Sequence, residues 1–332
     1  MSTNQEKLAV LAFFDSRPGH AKQTRGILHA LALLTPVSVT EVKIEEAGYG
    51  GGLGAAWRTL VSALGGRPKL APGAAGIPEG MMPDLIIGTG SHTHVPMLQA
   101  RNSLGGKVVT CMTPNPGLLS RMDLCFVPRH DRCPDRKNVV RTMGPPNTAE
   151  PGGVHAEDLG LILVGGTDEK SHVWESDKTL SHIRALTGVL KDVHWAVSSS
   201  PRTPPDMNDL LSALEGEREN VTFFKAGDTP QGWIEKQYGQ AGQAWVTADS
   251  VSMVFEALSA GCRVGILPVR WKRSDNKIAR AMEGLVEAGL VGTYEQWIKK
   301  PGPLPEPSGL NEAARCAEEI LRRFFPERMG EG

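Results

Sequence analysis

The chain has 332 residues, enough for two domains of ordinary size, and 40% hydrophobic with 22% charged residues is a globular composition. A formal net charge of -1 excludes the global basic field that nucleic-acid binding needs, so any basic site must be local. No apolar run approaches the ~20 residues of a membrane span, and the start MSTNQEK has neither a basic n-region nor an apolar h-region; a cytoplasmic location is expected.

Apolar strand-like runs at Leu8–Phe14, Val37–Ile44, Asp84–Gly88, Lys107–Cys111, Leu124–Val127 and Val139–Arg141 alternate with helical stretches at Ala21–Leu34, Leu53–Leu64 and Thr93–Asn102. Several strands are continuously apolar, as in a sheet covered on both faces. Residues Gly144–Glu157 (GPPNTAEPGGVHAE) are rich in Pro and Gly without periodicity and read as a linker. After them the alternation restarts: strand Leu159–Val164, helix Glu175–Leu190, strand Val193–Ser198, helix Pro205–Leu214, strand Val221–Phe224 and helix Gln231–Gln240. The run WVTADSVSMVFEALSAGCRVGIL from Trp245 to Leu267 then gives a strand, a polar turn, a helix stopped by Gly261 and a second strand. A helix near Asn276–Ala288, a proline cluster at Pro301–Pro307 and an amphipathic helix Asn311–Phe325 complete the chain. Two βα-repeating halves predict two doubly wound α/β domains, residues 1–147 and 158–300, with ligands at the strand carboxyl ends and a default site in an interdomain cleft. Cys111, Cys125, Cys133, Cys262 and Cys316 are odd in number and show no C-x-x-C pair; Cys111, Cys125 and Cys262 sit in or beside apolar strand-like runs and read as buried thiols in a reducing compartment.

Polar loops after strands carry the candidate chemistry. In Asp15-Ser16-Arg17-Pro18-Gly19-His20, Asp15 suits a base or hydroxyl acceptor, Arg17 a phosphate contact, and Gly19 a close backbone approach. A βα loop whose Asp and Pro merely start the helix is the plain alternative. The loop Gly88-Thr89-Gly90-Ser91-His92-Thr93-His94 offers His92 as a general base near neutrality. Its H-x-H pair has no third ligand at metal spacing, so no metal is expected. Gly165-Gly166-Thr167-Asp168 would let amides approach a diphosphate, with Thr167 adding a hydroxyl, although a glycine pair is also common in ordinary turns.

In the Trp245–Leu267 run, Asp249 or Ser250 is placed to cap the helix. That helix start suits a phosphate, Ser250 and Ser252 add hydroxyls, and Glu256, about one and a half turns on, suits ribose hydroxyls. No G-x-G-x-x-G follows the first strand of either half, and no G-x-x-x-x-G-K-[ST] occurs, which disfavours Rossmann-type NAD binding and P-loop hydrolysis. The stretch Arg270–Lys277 is locally basic and makes Arg273 and Lys277 candidate phosphate ligands against the plain reading of a solvated loop. Leu53–Leu64 sets Leu53, Trp57, Leu60, Val61 and Leu64 on one face beside Arg58, Arg67 and Lys69; this is a core helix or a shallow membrane-surface helix.

DSRPGHAKQ, LVGG followed by His172-Val173-Trp174, and above all ADSVSMVFEALSAGCRV resemble the elongated-mitochondria fission protein family, across nearly the whole chain. Its bacterial branch is described as GT-B-type glycosyltransferases. The resemblance implies two facing Rossmann-like domains, with a nucleotide-diphospho-sugar as substrate on the second and an acceptor on the first, and a last helix, residues 309–325, that packs back on the first domain. No further cofactor and no nucleic acid are implied. By that analogy Glu256 holds the ribose while Gly165, Gly166, Ser250 and Ser252 surround the diphosphate. Arg17, Gly19, His20 and Ser91 lie on the acceptor side, where a lipid-linked or envelope glycan is the candidate acceptor, with peripheral contact at a membrane inner face. The chain departs from the family at Ser16 and Ala248, where glycine is frequent. Ala248 also stands where many retaining GT-B enzymes have the first of two glutamates, which favours an inverting transfer with Asp15 or His92 as base. A non-catalytic scaffold for a protein or membrane partner, and a sugar-nucleotide epimerase or hydrolase, stay open as alternatives. The fission role of plant members is a property of cells and is not carried over.

Overall fold

A computed structural model describes residues 6–44, 76–115, 117–273 and 275–329. The chain divides into two compact units, Met1–Thr148 with Glu312–Gly332, and Ala149–Asn311. The apolar face expected at Leu53–Leu64 lies outside the described residues.

The N-terminal unit holds β1 (Leu8–Phe14), α1 (Pro18–Leu34), β2 (Val37–Lys43), β3 (Leu85–Thr89), α2 (Ser91–Leu104), β4 (Lys107–Cys111), β5 (Leu124–Pro128) and β6 (Val139–Thr142). Its sheet runs β2-β1-β3-β4-β5-β6, and every pairing is parallel. The chain turns from one side of β1 to the other between β2 and β3, so the crevice between β1 and β3 is the switch point at which such sheets bind ligands. β3 is buried along its whole length, and β1 at all but one position, as the continuous apolar runs require of a sheet covered on both faces.

The last helix, α9 (Glu312–Phe324), belongs to this unit. Ala313, Cys316, Ala317, Ile320 and Leu321 recur at helical spacing and are buried with Ile27, Leu28 and Leu31 of α1 in one core cluster. Its N-terminus is fixed by Glu312, whose Oε1 accepts from the Met143 amide at 2.6 Å.

The C-terminal unit contains β7 (Ala156–Leu163), β8 (His172–Val173), α3 (Ser176–Val189), β9 (His194–Ser198), α4 (Pro205–Glu217), β10 (Val221–Phe224), α5 (Trp233–Gln240), β11 (Ala241–Thr247), α6 (Val251–Ala260), β12 (Arg263–Leu267), β13 (Arg270–Trp271), α7 (Lys277–Glu287), β14 (Gly292–Thr293) and α8 (Tyr294–Trp297). The main sheet is parallel in the order β10-β9-β7-β11-β12-β14, with its switch point between β7 and β11. Gly261 ends α6 as predicted, at φ 94° in the left-handed region that favours glycine.

The two units divide between Thr148 and Ala149, inside the segment Gly144–Glu157 that reads as a linker. That segment is packed rather than loose: Pro146, Asn147 and Ala149 are buried, and Ala156 already opens β7. His155 anchors it, its ring nitrogens 2.8 and 3.0 Å from the carbonyl oxygens of Ala241 and Ala260. The two-residue ribbon of β8 and β13, the short β14 and α8 are too brief to leave a periodicity in the sequence.

Candidate functional site

In the N-terminal unit the loops after β1 and β3 meet at the switch point. Asp15 follows β1 directly, and its Oδ2 lies 2.8 Å from Nδ1 of His20 in the first turn of α1. The carboxylate is an acceptor, so the contact places the imidazole proton on Nδ1 and leaves the Nε2 lone pair available. Oδ1 of Asp15 takes the Arg17 amide at 3.2 Å. The Asp15 side chain is 1% exposed and that of His20 12%, so the carboxylate is enclosed while the ring reaches the surface. His20 rests against Gly90, which adopts φ 89°; a Cβ there would fall 2.3 Å from the His20 ring. Beneath them Thr24 and Thr89 join their hydroxyls at 2.8 Å.

Ser91 and His92 are exposed at the start of α2, while His94 is buried. The Asn115 amide donates to His94 Nδ1 at 3.3 Å, which puts the proton on Nε2; that atom is buried without a partner among the described residues. Burial, reinforced by the nearby His20, pulls the His94 pKa down to about 4, so this imidazole is neutral at physiological pH. Gly19 has nothing within 4 Å of where a Cβ would stand, so packing does not demand glycine there. The structure therefore gathers Asp15, Arg17, Gly19, His20, Ser91 and His92 along one sheet edge. The partner of Asp15 is His20, a residue for which the sequence indicated no such pairing.

In the C-terminal unit the loops after β7, β9 and β11 meet at the second switch point. Asp249 and Ser250 do not cap α6, contrary to the sequence reading. Ser250 occupies the cap position without a side-chain bond, and Asp249 turns its carboxylate toward the β7 loop. Its Oδ2 accepts from the Gly166 amide at 3.1 Å and from Arg202 Nη2 at 2.9 Å. The Gly165 amide donates to Thr247 Oγ1 at 2.7 Å, and the Thr167 amide to the Arg202 carbonyl at 3.0 Å. Amides of the glycine loop that the sequence offers to a phosphate are thus engaged within the protein. With α6 uncapped by a side chain, its first-turn amides stand beside the exposed Ser252.

Glu256, one turn further along α6, is buried, and Tyr238 donates its hydroxyl to Oε2 at 3.3 Å. Burial and that carboxylate hold the Tyr238 phenol well above its ordinary pKa, so it stays a donor. His172 steadies the glycine loop: its Nε2 is 2.9 Å from the Gly166 carbonyl and its Nδ1 2.7 Å from Ser171 Oγ. Arg273 is held by Asp275 at 3.1 and 3.2 Å, and Lys277 is exposed in the first turn of α7. Arg202, His172 and Tyr238 are residues to which the sequence reading gave no role. Arg202 lies in a serine- and proline-rich turn with no motif around it; His172 stands in the His172-Val173-Trp174 block that carries the family resemblance.

Among the described residues no group of three or more His, Cys, Asp or Glu is placed to hold a metal ion, and no helix is long and apolar enough to cross a membrane. The buried thiols of Cys111, Cys125 and Cys262 are free and raised by burial to about 12, so they are packing groups rather than nucleophiles.

Two six-stranded parallel sheets, each in its own α/β unit, give this chain a GT-B-like fold. A candidate UDP-N-acetylglucosamine 2-epimerase from Listeria monocytogenes has a similar structure, with a TM-score of 0.57 at 14% identity over 97% of this chain and 98% of that one. Looser likenesses are the UDP-GlcNAc 2-epimerase of Neisseria meningitidis bound to UDP-GlcNAc (TM-score 0.45, 15% identity, 95% and 100% covered) and an O-GlcNAc transferase mutant of Thermobaculum terrenum (0.41, 16%, 98% and 64%). No curated protein matches the chain. The chain belongs to the mitochondrial fission ELM1 family, whose sequence profile matches residues 18–324.

Proposed function

We propose that this protein binds a nucleotide-diphospho-sugar at the β7/β11 switch point of its C-terminal unit and transfers the sugar to an acceptor hydroxyl. The observation that carries this reading is the start of α6: an uncapped helix N-terminus at a doubly wound switch point, flanked by Ser250 and Ser252. Such a terminus offers free amides and partial positive charge to the diphosphate. Glu256, oriented by Tyr238, is assigned to the ribose hydroxyls. In the transfer the acceptor oxygen bonds to the anomeric carbon as the bond from that carbon to the diphosphate oxygen breaks. His20 Nε2 takes the acceptor proton, Asp15 steadies the resulting imidazolium, and the nucleoside diphosphate leaves. Attack from the face opposite the leaving group inverts the anomeric centre.

Thermal-shift titration with a panel of nucleoside diphosphates and nucleotide sugars tests the binding half. Saturable stabilisation by one of them, abolished in Glu256→Ala, is the expected result; no shift with any of them removes the reading. A second reading, sugar-nucleotide epimerisation or hydrolysis, uses the same fold, which the chain shares with the Listeria protein at 14% identity. Donor turnover without any acceptor would select it, and turnover only with an added acceptor would select transfer.

A further inference from the structure

At the same switch point one cation is fixed in place by a carboxylate that the solvent does not reach. Arg202 projects from the turn between β9 and α4 and meets Asp249, which precedes α6, at 2.9 Å. The two side chains differ sharply in exposure, 43% for Arg202 and 0% for Asp249. Nη1 of Arg202 also reaches the Gly166 carbonyl at 3.4 Å. These contacts use two of the five guanidinium donors and orient the plane, and the exposed part of the group keeps donors for a ligand.

The glycine pair makes this arrangement possible. A Cβ on Gly165 would stand 2.2 Å from Asp249 Oδ2, and one on Gly166 would stand 2.0 Å from the Arg202 carbonyl oxygen. The hydroxyls of Ser200 and Thr203 both donate to the Gly165 carbonyl, which ties the arginine turn to the glycine loop. Oδ1 of Asp249 is buried without a partner among the described residues, so the ionised carboxylate depends on Arg202 and on the Gly166 amide for its stabilisation. Of the other candidate cations, Arg273 is already paired with Asp275, and Lys277 lies in the first turn of α7.

We infer that Arg202 is the side chain that holds the ligand's diphosphate and balances its charge as it leaves, and that Asp249 is the positioning residue that presents it. The inference rests on the nucleotide-sugar reading above. A guanidinium held in advance loses little freedom on binding and offers two parallel N–H groups to phosphate oxygens. The first-turn amides of α6 supply the second side of the same anion site.

Calorimetric titration of the full chain with UDP, uridine and inorganic pyrophosphate tests this. For the wild type, UDP and pyrophosphate are expected to bind with affinities that weaken as salt rises. Arg202→Ala should weaken both by roughly ten- to hundredfold and leave uridine unchanged. Arg202→Lys should recover part of the loss, and Arg202→Gln, which keeps a donor for Asp249, guards against a folding defect. Asp249→Asn should weaken pyrophosphate in the same direction at an unchanged melting temperature, an effect that a purely structural role would not produce. Equal UDP affinity in wild type and both Arg202→Ala and Arg202→Gln overturns the inference and leaves nucleotide binding intact. Equal losses for UDP and uridine overturn it as well. If neither UDP nor pyrophosphate binds the wild type, the inference falls together with the nucleotide reading.

Discussion

His20 Nδ1 lies 2.8 Å from Asp15 Oδ2, across a turn in which Asp15 ends the strand side and His20 sits in the first turn of α1. The pair is local in sequence, five residues apart, yet it depends on a distant one, because the ring occupies the space where residue 90 would carry a Cβ. An enclosed carboxylate fixes the tautomer and an accessible ring nitrogen is left to act, which is the division of labour a general base requires.

Removing the ring should therefore cost turnover without costing nucleotide binding. His20→Ala is expected to lower kcat by about 10²–10⁴-fold, the usual share of general-base catalysis. Asp15→Asn should lower it in the same direction by disturbing the tautomer. Steady-state kinetics with the donor identified by thermal shift checks this, with nucleoside diphosphate affinity as the control. A full-rate His20→Ala would move the base elsewhere, His92 being the next candidate.

Gly90→Ala should disrupt the same dyad from the other side. The backbone at φ 89° and ψ 163° suits glycine alone, so alanine costs about 1–3 kcal/mol of strain, and its Cβ displaces the His20 ring. Urea unfolding would read the first effect, and the ¹⁵N shifts of His20, which report the tautomer, the second. Retention of the Nδ1–H signature in Gly90→Ala would show that the ring is held by Asp15 alone.

The alternation of strands and helices was legible because most strands of the two main sheets hold a compact apolar run, as β1, β3 and β5 do, while β2 alternates apolar and polar residues, and Gly261 marked the end of α6 on its own. The same reading could not say which amides stay free. Gly165-Gly166 looks like a phosphate loop in one dimension, but its amides go to Thr247 and Asp249, partners more than 80 residues away. Asp249 likewise has the sequence position of a helix cap and spends its carboxylate on Arg202 instead, a pairing 47 residues distant. Local propensity sees neighbours; the polar partners of a switch point come from separate loops, brought together only when the sheet forms.

The buried His94 should make the protein less stable in acid. Its pKa is lowered from 6.5 to about 4, so between these values the unfolded chain binds a proton that the folded chain refuses. Its contribution is complete above pH 6.5 and is lost progressively as pH falls toward 4, in total on the order of 3 kcal/mol. Equilibrium unfolding at a series of pH values should show the decline in the wild type, flattened by about one proton in His94→Gln, whose side-chain oxygen can still accept from the Asn115 amide. Parallel curves for the two proteins would mean that His94 titrates normally.

Deleting buried side-chain volume from α9 should weaken the N-terminal unit specifically. Ile320 is fully buried in the cluster that contains Ile27, Leu28 and Leu31 of α1, although residues 35–311 separate the two helices in the chain. Ile320→Ala removes that contact and leaves a cavity, at a cost of about 2–5 kcal/mol. Hydrogen exchange followed by mass spectrometry resolves where the loss falls. Protection should drop across β1, β3 and β4 and stay unchanged across β7, β9 and β11, because α9 shares its core with the first sheet. An equal loss in both sheets would show that the units unfold as one, and protection lost only within residues 312–324 would show that α9 frays without supporting the sheet.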